Sequence, residues 1–458
     1  MNTTRREWLW TGAAGAAGLL AGHTGATVGG HPAERDAAAR TSPLRITGLK
    51  ITPVALPDPP LLAASGCHGP YFLRTIVEIE TDAGIVGVGE TRGGAERLEA
   101  LEQAREHVVG QNAFAYRGFV DAVRRIDNAA WAGIELACLD ACGQATGRRL
   151  CELLGGPVRE QVEFAAYLFY RYAADHPQLL DDRRIVDDRG RDEQALDTWG
   201  EVRTPEAMAG MAAQFREKWG FRVFKLKGGV LAPDVELATI AALHERLGEN
   251  CPLRIDPNAR WSVPTAVRIG RELKRYPIEY YEDPVRGQDD MAEVRRRTGL
   301  VMSTNMCVTR FAHIPDAVET RPIDVVLGDH HGWGGVAAFQ ELGRICETFG
   351  WGLSQHSNNH AGLTMAAMAH VGAAVPQLTI ASDTHYVWLP EGADVIEGAN
   401  LPIRGGHVEV PKGPGLGVTL DRDKLARAHE TYRKCGMRER DDEATMRRVV
   451  PGWRRTTF

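Results

Sequence analysis

Short apolar runs with β-strand propensity recur through the larger part of the chain, from about residue 162 onward. Most are separated by segments with apolar residues three or four apart, such as "VPTAVRIGRELKRYP" and "VAAFQELGRICETFG", which is typical of amphipathic helices. This alternation, roughly eight times at steps of about 25 residues, predicts a (β/α)8 barrel over residues 161–400. The runs are "VEFAAYLFY", "RVFKLKGG", "PLRIDPNARW", "IEYYEDPV", "LVMSTNM", "IDVVLGDHHGW", "WGLSQHS" and "LTIASDTH".

Polar side chains come at the carboxyl end of nearly every predicted strand. In a barrel of this kind that end carries the active site, whereas aliphatic side chains fill the interior below it. One polar strand end would mean little, but a whole series in register indicates a functional site at this rim. The residues are Lys225 with Lys227, Asp256 with Asn258, Glu282 with Asp283, Asn305, Asp329, His356, and Asp383 with His385.

The two lysines of "FKLKGGV" lie two positions apart. Side chains alternate along a strand, so Lys225 and Lys227 share one face, where their charges repel. A solvated edge strand is one explanation, because edges often carry lysine to block further pairing. A closed barrel has no edge, so the barrel prediction favours a functional explanation.

The residues before the barrel have a different pattern. The apolar runs "LRITGLKITPVAL" and "FLRTIVEIETDAGIVGVGE", the second interrupted by the turn "DAG", predict an antiparallel meander, and helices follow through "GIELACLDACGQATGRRL". We therefore predict an α+β capping domain over residues 44–160. Residues 401–458 contain a short strand, a Gly/Pro turn and a helix, and we expect them to pack back on the capping domain.

Residues 1–43 have the composition of a signal followed by a linker. Arg5 and Arg6 precede a weakly apolar stretch rich in Ala and Gly, which is typical of a twin-arginine export signal. The stretch is too short and too rich in glycine to form a stable membrane span. We therefore expect an exported, periplasmic protein, or a cytoplasmic one if the signal is not used. A disordered tail is the alternative.

Composition and charge narrow the class of partner. The chain has 458 residues, of which 43% are hydrophobic and 25% charged, with a net charge of −6. Acidic and basic residues are mixed along the sequence, so we expect no nucleic-acid partner. The eight cysteines are scattered and fit no zinc-ligand spacing, which favours thiols in the core.

Three oxygen-bearing side chains come at the ends of three successive strands. Asp256, Glu282 and Asn305 would therefore lie side by side around the barrel mouth. Hard oxygen ligands without Cys or His suit an octahedral Mg²⁺ that keeps positions for water or substrate. Each residue alone could belong to a salt bridge or a cap. Because the lysines flank the set on one side and Asp329 and His356 on the other, we predict a metal site.

Six short motifs resemble, in order and spacing, the enolase superfamily and most closely its glucarate dehydratase branch. They are "KLKGG", "DPNARW", "YYEDP", "TNM", "GDHHGW" and "SQHSNNH". The resemblance covers nearly everything after residue 44, and an Asn as third metal ligand together with "HSNNH" is specific to that branch. It implies a modified TIM (β/α)8 barrel with an α+β N-terminal capping domain, and the Mg²⁺-assisted dehydration of an acid-sugar substrate.

The resemblance also implies roles for four catalytic side chains. The reaction begins with removal of the proton α to a carboxylate, and the metal stabilises the charge that develops. Lys227 matches the base on one face of the substrate, while Lys225 and the metal favour its neutral form and hold the carboxylate. His356, oriented by Asp329, is the base and acid on the other face, and gives its proton to the departing β-hydroxyl.

Six further residues resemble groups of the family that contact substrate or metal. His68 and Arg440 come from the capping domain and the tail, and the others follow or belong to barrel strands: Tyr167, Asn258, Asn358 and His385. We also expect the protein to form a homo-oligomer.

Three departures from the family pattern concern the far end of the substrate. Ala63 and Ala64 stand where an Asn is usual, the stretch before Gly133 is shorter, and Arg260 replaces a small residue. We therefore expect the chemistry to be kept and the choice of sugar to differ. Two alternatives stay open: an epimerase or racemase, because bases on opposite faces can also invert a carbon, and a non-catalytic homologue that binds acid sugars.

Overall fold

The computed structural model describes residues 44–179 and 199–458. The predicted export signal, in residues 1–43, lies outside the described residues, so export stays a prediction. Within the described ranges no helix has the length and apolar character needed to cross a bilayer. All eight cysteines lie in these ranges, where Cys435 is half-buried and the others are buried.

The capping domain begins with the predicted antiparallel meander. Strands β1 (Ile46–Pro57), β4 (Tyr71–Thr81) and β5 (Val86–Arg92) form a sheet in that order. A hairpin of β2 (Leu62–Ala63) and β3 (Gly66–Cys67) lies between β1 and β4 in the chain. The helices that follow are α1 (Ala95–Val108), α2 (Val120–Ile126), α3 (Asn128–Thr146) and α4 (Leu150–Leu153).

Helix α3 packs directly on strand β5. A methyl group at Gly87 or Gly89 would overlap backbone oxygens of α3, so only glycine permits this approach. The helix is buried nearly all round from Ala129 to Gly143. This contact holds the end of β5, which carries Glu90 and Arg92 toward the barrel.

Eight parallel strands form a nearly closed barrel, and each corresponds to one of the predicted runs, so the barrel prediction is confirmed. Their spatial order is β12-β11-β10-β9-β8-β7-β6-β13, and Ser354 Oγ donates to Ala381 O over 2.8 Å where the first and last approach. The strands are β6 (Gln161–Phe169), β7 (Phe224–Lys227), β8 (Leu253–Asp256), β9 (Ile278–Glu282), β10 (Met302–Thr304), β11 (Val325–Gly328), β12 (Gly352–Gln355) and β13 (Ser382–Thr384).

Helices connect these strands, and local sequence explains where several begin and end. Thr204 and Ser262 cap two of them through their side-chain oxygens, each followed by a proline in the first turn. Gly220 ends the first with φ 71°. The described helices are α5 (Pro205–Trp219), α6 (Pro233–Leu247), α7 (Val263–Leu273), α8 (Gln288–Thr298), α9 (Ile314–Thr320), α10 (His330–Trp333), α11 (Val336–Phe349) and α12 (Gly362–Ala374).

The tail contacts both the capping domain and the barrel. Helices α13 (Arg422–Cys435) and α14 (Asp442–Val449) lie against β1 and β3. Strand β14 (His407–Glu409) instead pairs antiparallel with barrel strand β6. At the end of the chain, Phe458 N donates to Arg260 O over 2.8 Å. The tail therefore joins the two domains.

Candidate active site

The side chains predicted to bind a metal meet at the carboxyl end of the barrel. Asp256 ends β8, Glu282 ends β9 and Asn305 follows β10, so the parallel strands carry them in sequence around the mouth. Both carboxylates are fully buried. Asn305 Nδ2 donates to Glu282 Oε1 over 2.6 Å.

The two lysines of β7 contact the same acidic cluster. Lys225 Nζ lies 2.5 Å from Glu282 Oε2, 2.6 Å from Asp383 Oδ2 and 3.6 Å from Asp256 Oδ2. Lys227 Nζ lies 2.6 Å from Asp256 Oδ2. These carboxylates offset the repulsion between the lysines, which explains how two cations can share one buried face.

The pKa of Lys227 differs from the sequence-based expectation of a neutral amine. Burial by itself lowers this pKa, but Asp256 and then Tyr167 raise it, and the net shift is upward. The expectation counted the positive charges of Lys225 and the metal, and omitted the carboxylate that binds the ammonium group directly. In these contacts Lys227 is protonated. A divalent cation that shares Asp256 would favour the neutral base.

The donor set fits such a cation. Glu282 Oε2 is buried without a well-aligned hydrogen bond, although Lys225 Nζ is within ion-pair distance. Burial and the charge of Asp256 raise the pKa of Glu282 well above its usual value. Two buried carboxylates therefore repel each other here, and Mg²⁺ would neutralise them while taking carboxylate and amide oxygens as ligands. The residues that would hold it are Asp256, Glu282 and Asn305.

Asp329 and His356 follow the adjacent strands β11 and β12, across the barrel mouth from β7. Asp329 Oδ2 and His356 Nδ1 are 3.9 Å apart, too far for a hydrogen bond. Instead, Oδ2 accepts from Arg92 of the capping domain, and Oδ1 accepts from His331 N over 2.9 Å. The predicted Asp–His pair is therefore close but not bonded. Burial lowers the pKa of His356, and Asp329 opposes this shift.

A cavity of about 520 Å³ opens between the two sides. Lys227 and His356 both line it, so the two predicted bases face one space. This volume is typical of a small-molecule site. The remaining predicted residues that line the cavity are Asn258, Asn305, Asp329 and Asn358, and the residues that sequence reasoning did not name are Arg92, Asn128, Met306, Thr309, Arg310, Leu327, Gly332 and Trp333.

The other predicted substrate-binding residues form a second group beside the lysines. The ring centroids of Tyr167 and His385 are 4.8 Å apart, and those of His68 and His385 are 6.1 Å apart. Asp58 Oδ2 lies 3.4 Å from His68 Nδ1 and 3.8 Å from Arg440 Nη1. The structure thus brings these four residues together on the side of β6 and β13, next to the cavity rather than in its lining.

The positions that depart from the family pattern border a separate, smaller cavity of about 40 Å³. Ala63, Ala64 and Arg260 line it together with Phe458 and other tail residues. Arg260 is buried, and its Nε has no hydrogen-bond partner among the described residues. The altered positions therefore lie beside the loop after Lys227 and not in the larger cavity.

Two protein-family models match the chain. Residues 47–155 match the mandelate racemase/muconate lactonizing enzyme N-terminal domain, and residues 207–424 match the enolase C-terminal domain-like family. The chain belongs to the enolase superfamily.

Individual members of the superfamily are similar over nearly the whole length. A Streptomyces coelicolor protein named "Probable glucarate dehydratase" is 42% identical over 440 residues, which is 90% of this chain and 98% of that protein. A crystal structure of an enolase from Thermobispora bispora, complexed with magnesium and formate, is 42% identical with a TM-score of 0.83, covering 90% of this chain and 98% of that one.

A second solved structure extends this comparison. An enolase from Pseudomonas fluorescens with bound magnesium, potassium and tartrate is 39% identical with a TM-score of 0.84, covering 91% of this chain and 99% of that chain. This enolase-superfamily member is a glucarate dehydratase-like lyase.

Sequence reasoning gave no role to three residues of this enolase-superfamily site. Asp283 accepts from Asn305 N over 2.8 Å and so holds the turn that carries a predicted ligand. Asp383 binds Lys225. Both acids are visible in the sequence as polar strand ends. Arg92 lies in the other domain, and no spacing in the sequence relates it to Asp329.

Proposed function

We propose that the protein is a Mg²⁺-dependent acid-sugar dehydratase. It removes the proton α to a carboxylate and eliminates the β-hydroxyl, which gives a keto-deoxy acid sugar. One observation carries the proposal: Lys227 and His356 line the same cavity, with Asp256, Glu282 and Asn305 on the strands between them. The name of the Streptomyces coelicolor relative supports the reaction.

The metal assignment rests on the donor set and on the relatives. The Thermobispora bispora and Pseudomonas fluorescens structures contain magnesium, and the second also contains tartrate, a hydroxylated diacid. Bound Mg²⁺ would supply positive charge to the substrate carboxylate, which becomes more negative as the α-proton leaves.

The side chains then have complementary tasks. Lys225, held among three carboxylates, orients the substrate carboxylate from one side. Lys227 takes the α-proton from one face, and protonated His356 gives a proton to the β-hydroxyl, so that the C–O bond breaks and water leaves. For substrates of the opposite configuration, His356 takes the α-proton and returns it to the hydroxyl. In both cases the resulting enol becomes the keto acid.

The same facing bases allow an epimerase, because deprotonation on one face and reprotonation on the other inverts the α-carbon. Product analysis separates the possibilities. We would incubate the protein with a panel of acid sugars and Mg²⁺, and measure 2-keto-3-deoxy products and epimers by NMR. Keto-deoxy products that require Mg²⁺ are expected. Epimers alone would favour the epimerase, and binding without turnover would favour a non-catalytic homologue.

Substrate choice within the panel follows from Ala63, Ala64 and the shortened stretch before Gly133. Replacing a polar contact by alanine forfeits on the order of 1 to 3 kcal/mol of discrimination in the transition state. We therefore expect D-glucarate to be a poor substrate or not the best one, with an aldonate or a differently configured aldarate preferred. A comparison of kcat/KM across the panel measures this, and the highest value for D-glucarate would contradict it.

A further inference from the structure

Arg92 is the last residue of β5, and its side chain reaches from the capping domain to the rim of the barrel. Its Nη2 donates to Asp329 Oδ2. The side chain is 38% exposed and lines the 520 Å³ cavity together with Lys227 and His356. A residue of the capping domain therefore touches the space that the substrate would occupy.

The hydrogen-bonding capacity of Arg92 is largely unused. A guanidinium group has five N–H donors in a planar fork. Among the residues that the structure describes, the one hydrogen-bond partner of Arg92 is Asp329, and its buried Nε has none. Arginine commonly binds a carboxylate through two parallel hydrogen bonds. Arg92 can therefore accept a further anionic partner.

The cavity is rich in positive charge far from the proposed metal ligands. Its charged lining consists of Arg92, Lys227, Arg310 and Asp329, besides His356. Lys227 is bound to Asp256, at the metal end, whereas Arg92 lies over β11, across the barrel mouth. One end of a substrate would meet the metal and Lys225, and the other end would meet an arginine.

We propose that Arg92 binds an anionic group at the substrate end remote from the metal, so that the enzyme prefers dicarboxylic acid sugars to monocarboxylic ones. This inference rests on the proposed function and narrows its substrate class to aldarates. The shortened stretch before Gly133 agrees with it, because Asn128 at the start of α3 lines the cavity beside Arg92 and leaves this end open.

The test compares an aldarate with the aldonate that has the same configuration at every hydroxyl-bearing carbon. The wild-type protein should prefer the aldarate by at least about tenfold in kcat/KM. Arg92→Gln should lower kcat/KM for the aldarate by about 10- to 100-fold, mainly through KM, and for the aldonate by less than about threefold. Arg92→Lys, which keeps the charge but not the fork, should fall between the two.

Arg344→Gln is the matched control, because Arg344 lies on the outer helix α11 in an exposed pair with Glu347. It should change neither substrate. Equal losses for both substrates in Arg92→Gln would overturn the inference, because Arg92 would then act only by holding Asp329. A wild-type protein without preference for the aldarate would overturn it as well, whether or not the variants fold.

A binding measurement separates this inference from the proposed function. In the presence of Mg²⁺, calorimetry with tartrate and with glycerate compares a diacid with a monoacid without turnover. Tartrate should bind at least about tenfold more tightly to the wild-type protein, and Arg92→Gln should remove the difference. If no acid sugar is dehydrated but this difference is found, the proposed function fails and the inference stands. Dehydration with equal binding of both acids would have the opposite meaning.

Discussion

The two sides of the candidate active site are built in different ways. On the metal side, Lys227, Asp256, Glu282 and Asn305 come from four consecutive strands, and their partners belong to the barrel itself. On the opposite side, Asp329 is bound by an arginine of the capping domain. The first side depends on strand register, and the second depends on how two domains pack.

This difference separates chemistry from control. The metal side holds the groups that the proposed reaction needs for any acid sugar. The side facing the capping domain decides how Asp329 is engaged, because the carboxylate that would orient His356 is bound to Arg92 instead. The capping domain can therefore influence both the second base and the far end of the substrate.

The strongest break in the comparison is a loss of the metal side. Glu282→Gln removes one charge of the proposed Mg²⁺ site, so we expect dehydration to fall by at least on the order of 10³-fold. Calorimetric titration should show much weaker Mg²⁺ binding. Glu293→Gln on α8, in an exposed pair with Arg297, is the control. Unchanged Mg²⁺ affinity in Glu282→Gln would remove Glu282 from the metal site.

The opposite side should fail differently. In His356→Asn, dehydration is expected to fall by about 10²- to 10⁴-fold, because the acid for the departing hydroxyl is lost. Exchange of the α-proton with solvent should persist for substrates presented to Lys227, and NMR in D₂O measures it. Dehydration at the wild-type rate would show that His356 has no part in the reaction.

Contacts between the domains should matter for stability. Buried Glu90 of β5 accepts from Arg74 Nε over 2.6 Å and from Ala361 N and Thr364 N, each over 2.8 Å. Removing its charge leaves Arg74 buried without its partner, so Glu90→Gln should lower the free energy of unfolding by about 3 kcal/mol. Denaturant titration measures this, and a change below about 0.5 kcal/mol would mean that the two domains stabilise each other by other contacts.

The smallest expected effect is a pH dependence at the same interface. Glu135 of α3 accepts from Val336 N and Ala337 N at the start of α11, and burial raises its pKa from 4.5 to about 7. Between these values the folded state keeps a proton that the unfolded chain releases. Stability is therefore fully present below pH 4.5 and is lost as the pH rises through about 7.

Glu135→Gln, which stays neutral, removes this dependence. Relative to the wild-type protein its stability should rise by on the order of 2 kcal/mol between pH 5 and pH 8. Thermal unfolding at a series of pH values measures the difference. A constant difference between the two proteins across this range would show that Glu135 does not titrate there.

Much of the barrel and the metal side could be predicted from the sequence because both rest on local periodicity. An alternating strand pattern placed Lys225 and Lys227 on one face, and successive strand ends placed Asp256, Glu282 and Asn305 together. The substrate-binding predictions were read from strand ends and motifs without distances. The structure divides them between the cavity, with Asn258 and Asn358, and the aromatic group around His385.

The sequence by itself determined the order of strands and helices, the polar rim and the set of oxygen ligands, because these follow from side-chain alternation and parallel register. The tertiary structure alone decided that Arg92 binds Asp329, that Asp256 keeps Lys227 protonated, and that Ala63 borders a separate cavity. Those facts depend on contacts between segments far apart in the chain. Such distances are set by the packing of whole domains, which no local pattern encodes.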